Sequence, residues 1–269
     1  MNTHEDMPNT MKSVAVITGA TGSPMLLECC ASVRAQTYPN IQHWVVVDGQ
    51  KYEAAVRSLV TPKEVVFVLP ENTGGDGYVC HRINGSLPWI INTDYVCFLD
   101  EDNAFEANHI EYLMASLSGK KRWAHGLRSI ESMDGNYMCD DNCESLGGLS
   151  HTVLGFDDRL IDTNCYLMER TLAIQISPLW HVKARAKGAE EADRSVCRTL
   201  LALEPDHGVC RTPSVRYRVG NRSDSVQSTF FTDGNKKMEL DFTKKDLYLF
   251  MCTPELNIQL RSSLYTQNT

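Results

Sequence analysis

Three adjacent acids, Asp100, Glu101 and Asp102, followed by Asn103, end the apolar run Tyr95–Leu99. Neighbouring carboxylates raise one another's pKa, so something must offset their repulsion. A hard divalent cation with oxygen ligands does so, and the ligand type selects Mg²⁺ or Mn²⁺. The bland alternative is an acidic turn in which Asp102 or Asn103 caps a helix. The apolar run reads as a buried strand, and Phe105, His109, Ile110 and Leu113 recur at helical spacing beyond the acids. The carboxylates therefore stand at the C-terminal end of a sheet strand, where open α/β folds bind ligands.

The elements that must position them precede them. Ser13–Thr18 is dense in β-branched residues and reads as a strand, Gly19–Ser23 as a turn, and a helix follows with Ser23 as N-cap and Pro24 in its first turn. Ile41–Val47 is a second strand closing on Asp48, which completes a parallel βαβ unit. The loop lacks the third glycine of G-x-G-x-x-G and the Gly-Lys-Ser/Thr of a P-loop. Thr18, Gly19 and Ala20 can still shape a nucleoside pocket, with Asp48 accepting from ribose or base. Lys51–Val60 reads as a helix, Glu64–Leu69 as a third strand, and Thr73–Gly77 as a glycine-rich loop. A helix over Tyr78–Trp89 then carries Arg82 and Asn84 toward the same strand ends. For Arg82 the bland reading is a salt-bridged surface arginine. Alternating strands and helices up to residue 118 give a doubly wound nucleotide-binding sheet.

Composition narrows the classes. A net charge of −8 rules out a global attraction to nucleic acid or anionic membrane. Two basic clusters, Lys120–Arg122 and Lys183, Arg185 and Lys187, read as solvated faces. The 10 cysteines are scattered without zinc spacing, and several lie in apolar runs as small hydrophobes. No signal-peptide core and no stretch of about 18 apolar residues occurs, so a cytosolic protein with reduced thiols is expected.

The series Ser13–Ile17, the helix from Pro24 to Val33, Gln36-Thr-Tyr-Pro-Asn40, Val45-Val-Val-Asp-Gly49, Asn84 and Phe98-Leu-Asp-Glu-Asp-Asn103 resembles the family 2 glycosyltransferases of GT-A fold. The resemblance covers about the first 120 residues well and the remainder loosely. It departs at Gly19-Ala-Thr-Gly22, which replaces the family's Thr-x-Asn-Arg-like loop and leaves the nucleobase contacts open. It implies that Asp48 binds a uridine-type nucleoside and that Asp100 and Asp102 form a D-x-D, with Asp102 nearest the metal. It also implies that a carboxylate placed like Asp193, or second Glu191, is the catalytic base of an inverting displacement. That group would accept a proton as the new bond forms. Donor contacts are assigned to Thr18, Gly19, Ala20, Asp48, Arg82, Asn84, Asp100 and Glu101, and metal contacts to Asp100, Asp102 and His181. For Trp180 and His181 a core tryptophan and a surface histidine are the bland readings.

Beyond Trp123 the pattern changes. Trp123–Arg128 reads as a strand, Met133–Asn136 as a hairpin turn, and Asp140–Gly155 as a long irregular stretch. The family's architecture makes this region frame the acceptor. Cys143–Gly147 is expected as one wall, and Trp123, Glu144 and Asn164 as acceptor contacts. Tyr166–Met168 reads as a strand, Arg170–Ile176 as a helix, and Glu190–Leu203 as an amphipathic helix whose apolar face is Val196, Leu200, Leu201 and Leu203. Val215–Arg218 is a strand, Gly220–Arg222 a turn near phosphates, and Phe242–Cys252 a terminal helix packed on the sheet.

The resulting expectation is a GT-A-type, Rossmann-like, mostly parallel α/β sheet flanked by helices, with a smaller mixed acceptor-side region. It comprises a disordered lead-in (1–12), a nucleotide-sugar-binding half (13–120), an acceptor and catalytic-base half (121–240) and a C-terminal helix and tail (241–269). The expected activity is metal-dependent, inverting transfer from a nucleotide sugar, with Mn²⁺ or Mg²⁺ as cofactor. The acceptor is a hydroxyl on a glycan, lipid-linked group, protein, small molecule or modified base. The alternatives are a sugar nucleotidyltransferase, which would want a basic loop after the first strand, and a catalytically idle nucleotide-sugar-binding protein.

Overall fold

The structure, a computed structural model, describes residues 11–147, 159–181, 192–220 and 226–241. Four strands run parallel in the order β3-β2-β1-β4: β1 Val14–Ala20, β2 Ile41–Val47, β3 Val65–Val68 and β4 Tyr95–Phe98. Every residue of β1 is buried, as expected of a parallel strand covered on both faces. The sheet continues through β8 (Tyr166–Glu169), β6 (Trp123–Glu131), β9 (Gly208–Arg218) and β5 (Ala104–Phe105), with β7 (Tyr137–Asp140) paired to β6. It is a mixed sheet, because β8 runs antiparallel to both β4 and β6, and it carries strands from both halves of the chain.

Helix α1 (Leu26–Arg34) buries Leu26, Cys29, Cys30 and Val33, the i, i+3, i+4, i+7 stripe of an amphipathic helix. It begins after Ser23, whose Oγ accepts from Met25 N–H at 3.3 Å. A 3-10 turn and the short α2 (Glu53–Arg57) occupy the next helical stretch, and α3 (His81–Ile90) starts later than the sequence pattern indicates. Helices α4 (His109–Ser116), α5 (Arg170–Ile176), α6 (Ala192–Leu203) and α7 (Ser228–Asp241) complete the described elements.

Several expectations change. The acids do not lead straight into a helix. Ala104 and Phe105 form β5, which pairs with β9 at the far edge, and only His109 onward is helical. Tertiary pairing thus overrides the helical period at Phe105. On α6 the buried face is Ala192, Val196, Cys197 and Leu200, while Leu203 is exposed. Helix α7 was not anticipated, and the helix expected at Phe242–Cys252 lies outside the described residues. So do Glu191, the basic cluster Lys183–Lys187, most of the turn at 220–222 and the tail. Arg122 of the other basic cluster pairs with Glu169 and Glu204, each at 2.7 Å. Among the described residues no cysteine is in a disulfide, and no helix is long and apolar enough to cross a membrane.

Candidate active site

Because β1, β2 and β4 are parallel neighbours, the residues that follow them gather at one sheet edge. There an open cleft of about 640 Å³ is lined by Gly19, Asp48, Asn84, Asp100, Glu101 and Asp102, together with Asp162 and Asp193. Strand direction explains the last two. β8 is antiparallel to β4 with Cys97 opposite Leu167, so extending that register three positions puts Asp100 opposite Asn164. The segment entering β8 therefore meets the segment leaving β4. Helix α6 points its first turn at the same edge and delivers Asp193.

Each acid has a defined environment. Asn164 clasps Asp100 at two points: its Oδ1 accepts from Asp100 N–H at 2.6 Å and its Nδ2 donates to Asp100 Oδ2 at 2.9 Å. Burial, and then the charges of Asp102, Asp162 and Asp193, hold the Asp100 carboxyl above the ordinary carboxylate range. Asp193 Oδ1 accepts from Thr163 Oγ1 at 3.2 Å and lies 3.5 Å from His81 Nε2. Asp48 is 5% exposed; it accepts from Thr73 N–H at 2.6 Å, Thr73 Oγ1 at 2.8 Å and Gly74 N–H at 2.9 Å, fixing the loop that roofs the cleft. Residue 74 must be glycine here, since a Cβ would sit 2.4 Å from the Val79 carbonyl oxygen.

Glu101 settles the reading of the Gly19–Ser23 loop. Its carboxylate accepts from the backbone N–H groups of Thr21, Gly22 and Ser23 and from Thr21 Oγ1, at 2.7–3.1 Å. The amide cluster that would cradle a phosphate in a dinucleotide or P-loop site holds the chain's own carboxylate instead. Glu101 therefore anchors this loop at the edge of the cleft that it lines.

Other expected site residues lie elsewhere. Thr18 is fully buried with its Oγ1 3.0 Å from His43 Nε2, so it packs behind the cleft, and Ala20 is buried as the last residue of β1. Trp123 is a core residue with no exposure; its Nε1 donates to the Glu204 carbonyl at 2.8 Å and its ring stacks on His207. Trp180 is likewise core. Asn164 is 1% exposed and serves Asp100 rather than an acceptor. Glu144 pairs with Arg128 at 2.7 Å, and the supposed wall is buried at Cys143, Ser145, Leu146 and Gly147. The aliphatic and small residues of that wall pack inward, which a reading of it as polar loop overlooked.

Arg82 and His181 face a separate, largely apolar cavity of about 740 Å³ between β3, α3 and the turn after α5. The Arg82 guanidinium lies 3.5 Å over the Tyr78 ring and its Nη1 donates to the Thr73 carbonyl at 3.4 Å, while His181 packs against the same ring. Helix periodicity explains the split: His81 and Asn84, three apart, share the face toward the acids, and Arg82 is turned away. The i, i+3 spacing was the available signal for His81. Asp162 carries no such local signal, because only the β4–β8 pairing brings it to the cleft. Tyr217 and Arg218 of β9 also reach the cleft. Arg218 there pairs with Glu28 and Glu131.

Residues 13–138 match the sequence model described as Glycosyl transferase family 2. The crystal structure of S. aureus TarS 1–349 superposes with a TM-score of 0.52 at 12% identity, covering 94% of this chain and 79% of that one. The same TarS fragment in complex with UDP-GlcNAc gives 0.55 at 12% identity, covering 89% and 70%. No curated protein sequence matches the chain. The GT-A-type sheet, parallel in its first half and mixed beyond, that the sequence leads one to expect is the fold observed, and residues 13–138 are similar to glycosyl transferase family 2.

Proposed function

We propose that this chain transfers a sugar from a nucleotide diphosphate sugar, with UDP the favoured nucleotide, to a hydroxyl acceptor with inversion at the anomeric carbon, aided by Mn²⁺ or Mg²⁺. The observation that carries the reading is the convergence of Asp100, Asp102 and Asp193 on one cleft from two distant segments. A family 2 match and a fold shared with a protein whose structure holds UDP-GlcNAc support the donor class.

The donor set fits a hard cation. Asp100, Asp102, Asp162 and Asp193 line the cleft, and the raised pKa of Asp100 reflects first its burial and then the neighbouring charges of Asp102, Asp162 and Asp193. Among the described residues the one trio of His, Cys, Asp or Glu donor atoms mutually within 4.8 Å is elsewhere, at Cys30, His43 and Glu64. The acidic cleft thus suits an ion held by one or two carboxylates and completed by substrate phosphates. When bound, the ion would act as a Lewis acid on the departing diphosphate.

The chain's own residues do the rest. Asp48 holds the roof loop against the donor, and Glu101 fixes the loop after β1. Thr163 and His81 orient Asp193, which accepts the acceptor's proton as the carbon–oxygen bond forms. One base and no nucleophile give a single displacement, hence inversion. The filled amide cluster at Thr21–Ser23, which contains no lysine or arginine, counts against a nucleotidyltransferase. Asp193→Asn tests the assignment. Loss of transfer by about 10²–10⁴-fold with donor binding retained supports it, and wild-type turnover refutes it.

A further inference from the structure

One of the cleft's carboxylates, Asp162, rests on a cation buried away from solvent. Arg128, in the middle of β6, has a side chain 2% exposed, and each arm of its guanidinium meets a different acid. Nε donates to Asp141 Oδ2 at 2.8 Å, Nη2 to Glu144 Oε2 at 2.7 Å and Nη1 to Asp162 Oδ2 at 2.5 Å. The rings of Tyr217 and Phe231 flank it, with centroids 4.3 and 5.1 Å away. A planar fork bound on three sides and covered by rings has one orientation.

The contacts continue to the catalytic edge. Asp162 Oδ1 accepts from Asn164 N–H at 3.0 Å and Asn164 Nδ2 at 2.7 Å. The same Nδ2 reaches Asp100 Oδ2, while Oδ1 takes the Asp100 N–H. The amide orientation is forced, because its nitrogen faces two carboxylates and its oxygen faces an N–H.

We propose that Arg128 is a positioning residue of the transfer site: through Asp162 and Asn164 it fixes the direction in which Asp100 presents its carboxylate to the cation and diphosphate of the donor. The proposal rests on the metal-assisted reading above. A cluster that only stabilised the fold would, when cut, lower stability and leave the cation affinity of the folded protein unchanged. A cluster that aims Asp100 must change that affinity, because partners of metal-binding groups typically govern about 10–100-fold of it.

The test is Mn²⁺ titration of the full chain in the presence of UDP, followed by the EPR signal of free Mn²⁺. Wild type is compared with Asn164→Ala, Arg128→Lys and the double variant, with circular dichroism confirming that each is folded. Each single change is expected to weaken Mn²⁺ binding by about 10–100-fold. The double variant should be no weaker than the worse single, since both cut one path. Affinity within about twofold of wild type in Asn164→Ala, or fully additive losses, overturns the proposal. Should Arg128→Lys not fold, Asp141→Asn, which removes the charge that Arg128 Nε meets and lies outside the cleft lining, replaces it in the cycle. Absence of Mn²⁺ binding by wild type itself contradicts the parent reading and this proposal with it, whereas normal binding by the variants contradicts this proposal alone.

Discussion

At the scale of single residues, partners rather than residue types decide roles. Glu101 sits between two cleft acids, yet four donors claim its oxygens, whereas Asp193 is held by Thr163 beside His81 at the cleft wall. Trp123 shows the same point among apolar groups. An exposed tryptophan can stack on a sugar, but this one is sealed in the core. Trp123→Ala should therefore cost about 3–5 kcal/mol of stability, read by urea denaturation, while Trp123→Phe should leave acceptor KM unchanged. A selective rise in acceptor KM with stability intact would return Trp123 to the acceptor side. The acids at 100–102 were legible because their spacing after an apolar strand is local. Asn164 and Asp162 were not legible as a support for Asp100, because that relation exists only through the β4–β8 pairing.

At the scale of elements, loops at the sheet edge are held by carboxylates that reach across from neighbouring strands. Glu101 ties the β1–α1 loop to the end of β4, and Asp48 ties the roof loop to the end of β2. Hydrogen bonds to a charged acceptor contribute about 1.5–3 kcal/mol. Glu101→Gln keeps the shape but loses the charge, so stability should fall by about 1–3 kcal/mol while the donor affinity of the folded protein changes little. A large loss of donor affinity without destabilisation would instead make Glu101 a donor contact. The parallel half of the sheet could be read from β-branched density and turn residues alone. In the second half the strands at Trp123–Arg128, Tyr166–Met168 and Val215–Arg218 were legible, but β5, two residues long, and the first part of β9, set by pairing with β6, leave no local periodic trace.

At the scale of the whole molecule, three histidines are buried neutral around the sheet. Burial lowers His43 to about 4, His109 to about 3 and His125 to about 4. An unfolded chain binds those protons near pH 6.5. Below that pH the unfolded state holds more protons than the folded state, so these groups withdraw stability as pH falls toward the folded values and change nothing above about pH 7. Replacing His109 by Phe removes one such proton. The pH slope of stability between about 6 and 4 should then be shallower than wild type by about 1.4 kcal/mol per pH unit, measured by urea midpoints. Identical slopes would mean that His109 is protonated in the fold.

The proposed transfer depends above all on Asp100 and Asp102 holding a divalent ion against a diphosphate. Calorimetric titration of UDP into wild type and Asp102→Ala, each with Mn²⁺ and with chelator, tests this most directly. Mn²⁺ should strengthen UDP binding to wild type by at least about tenfold and have little effect on Asp102→Ala. Equal UDP affinity with and without Mn²⁺ in wild type, or an undiminished Mn²⁺ effect in Asp102→Ala, would contradict it.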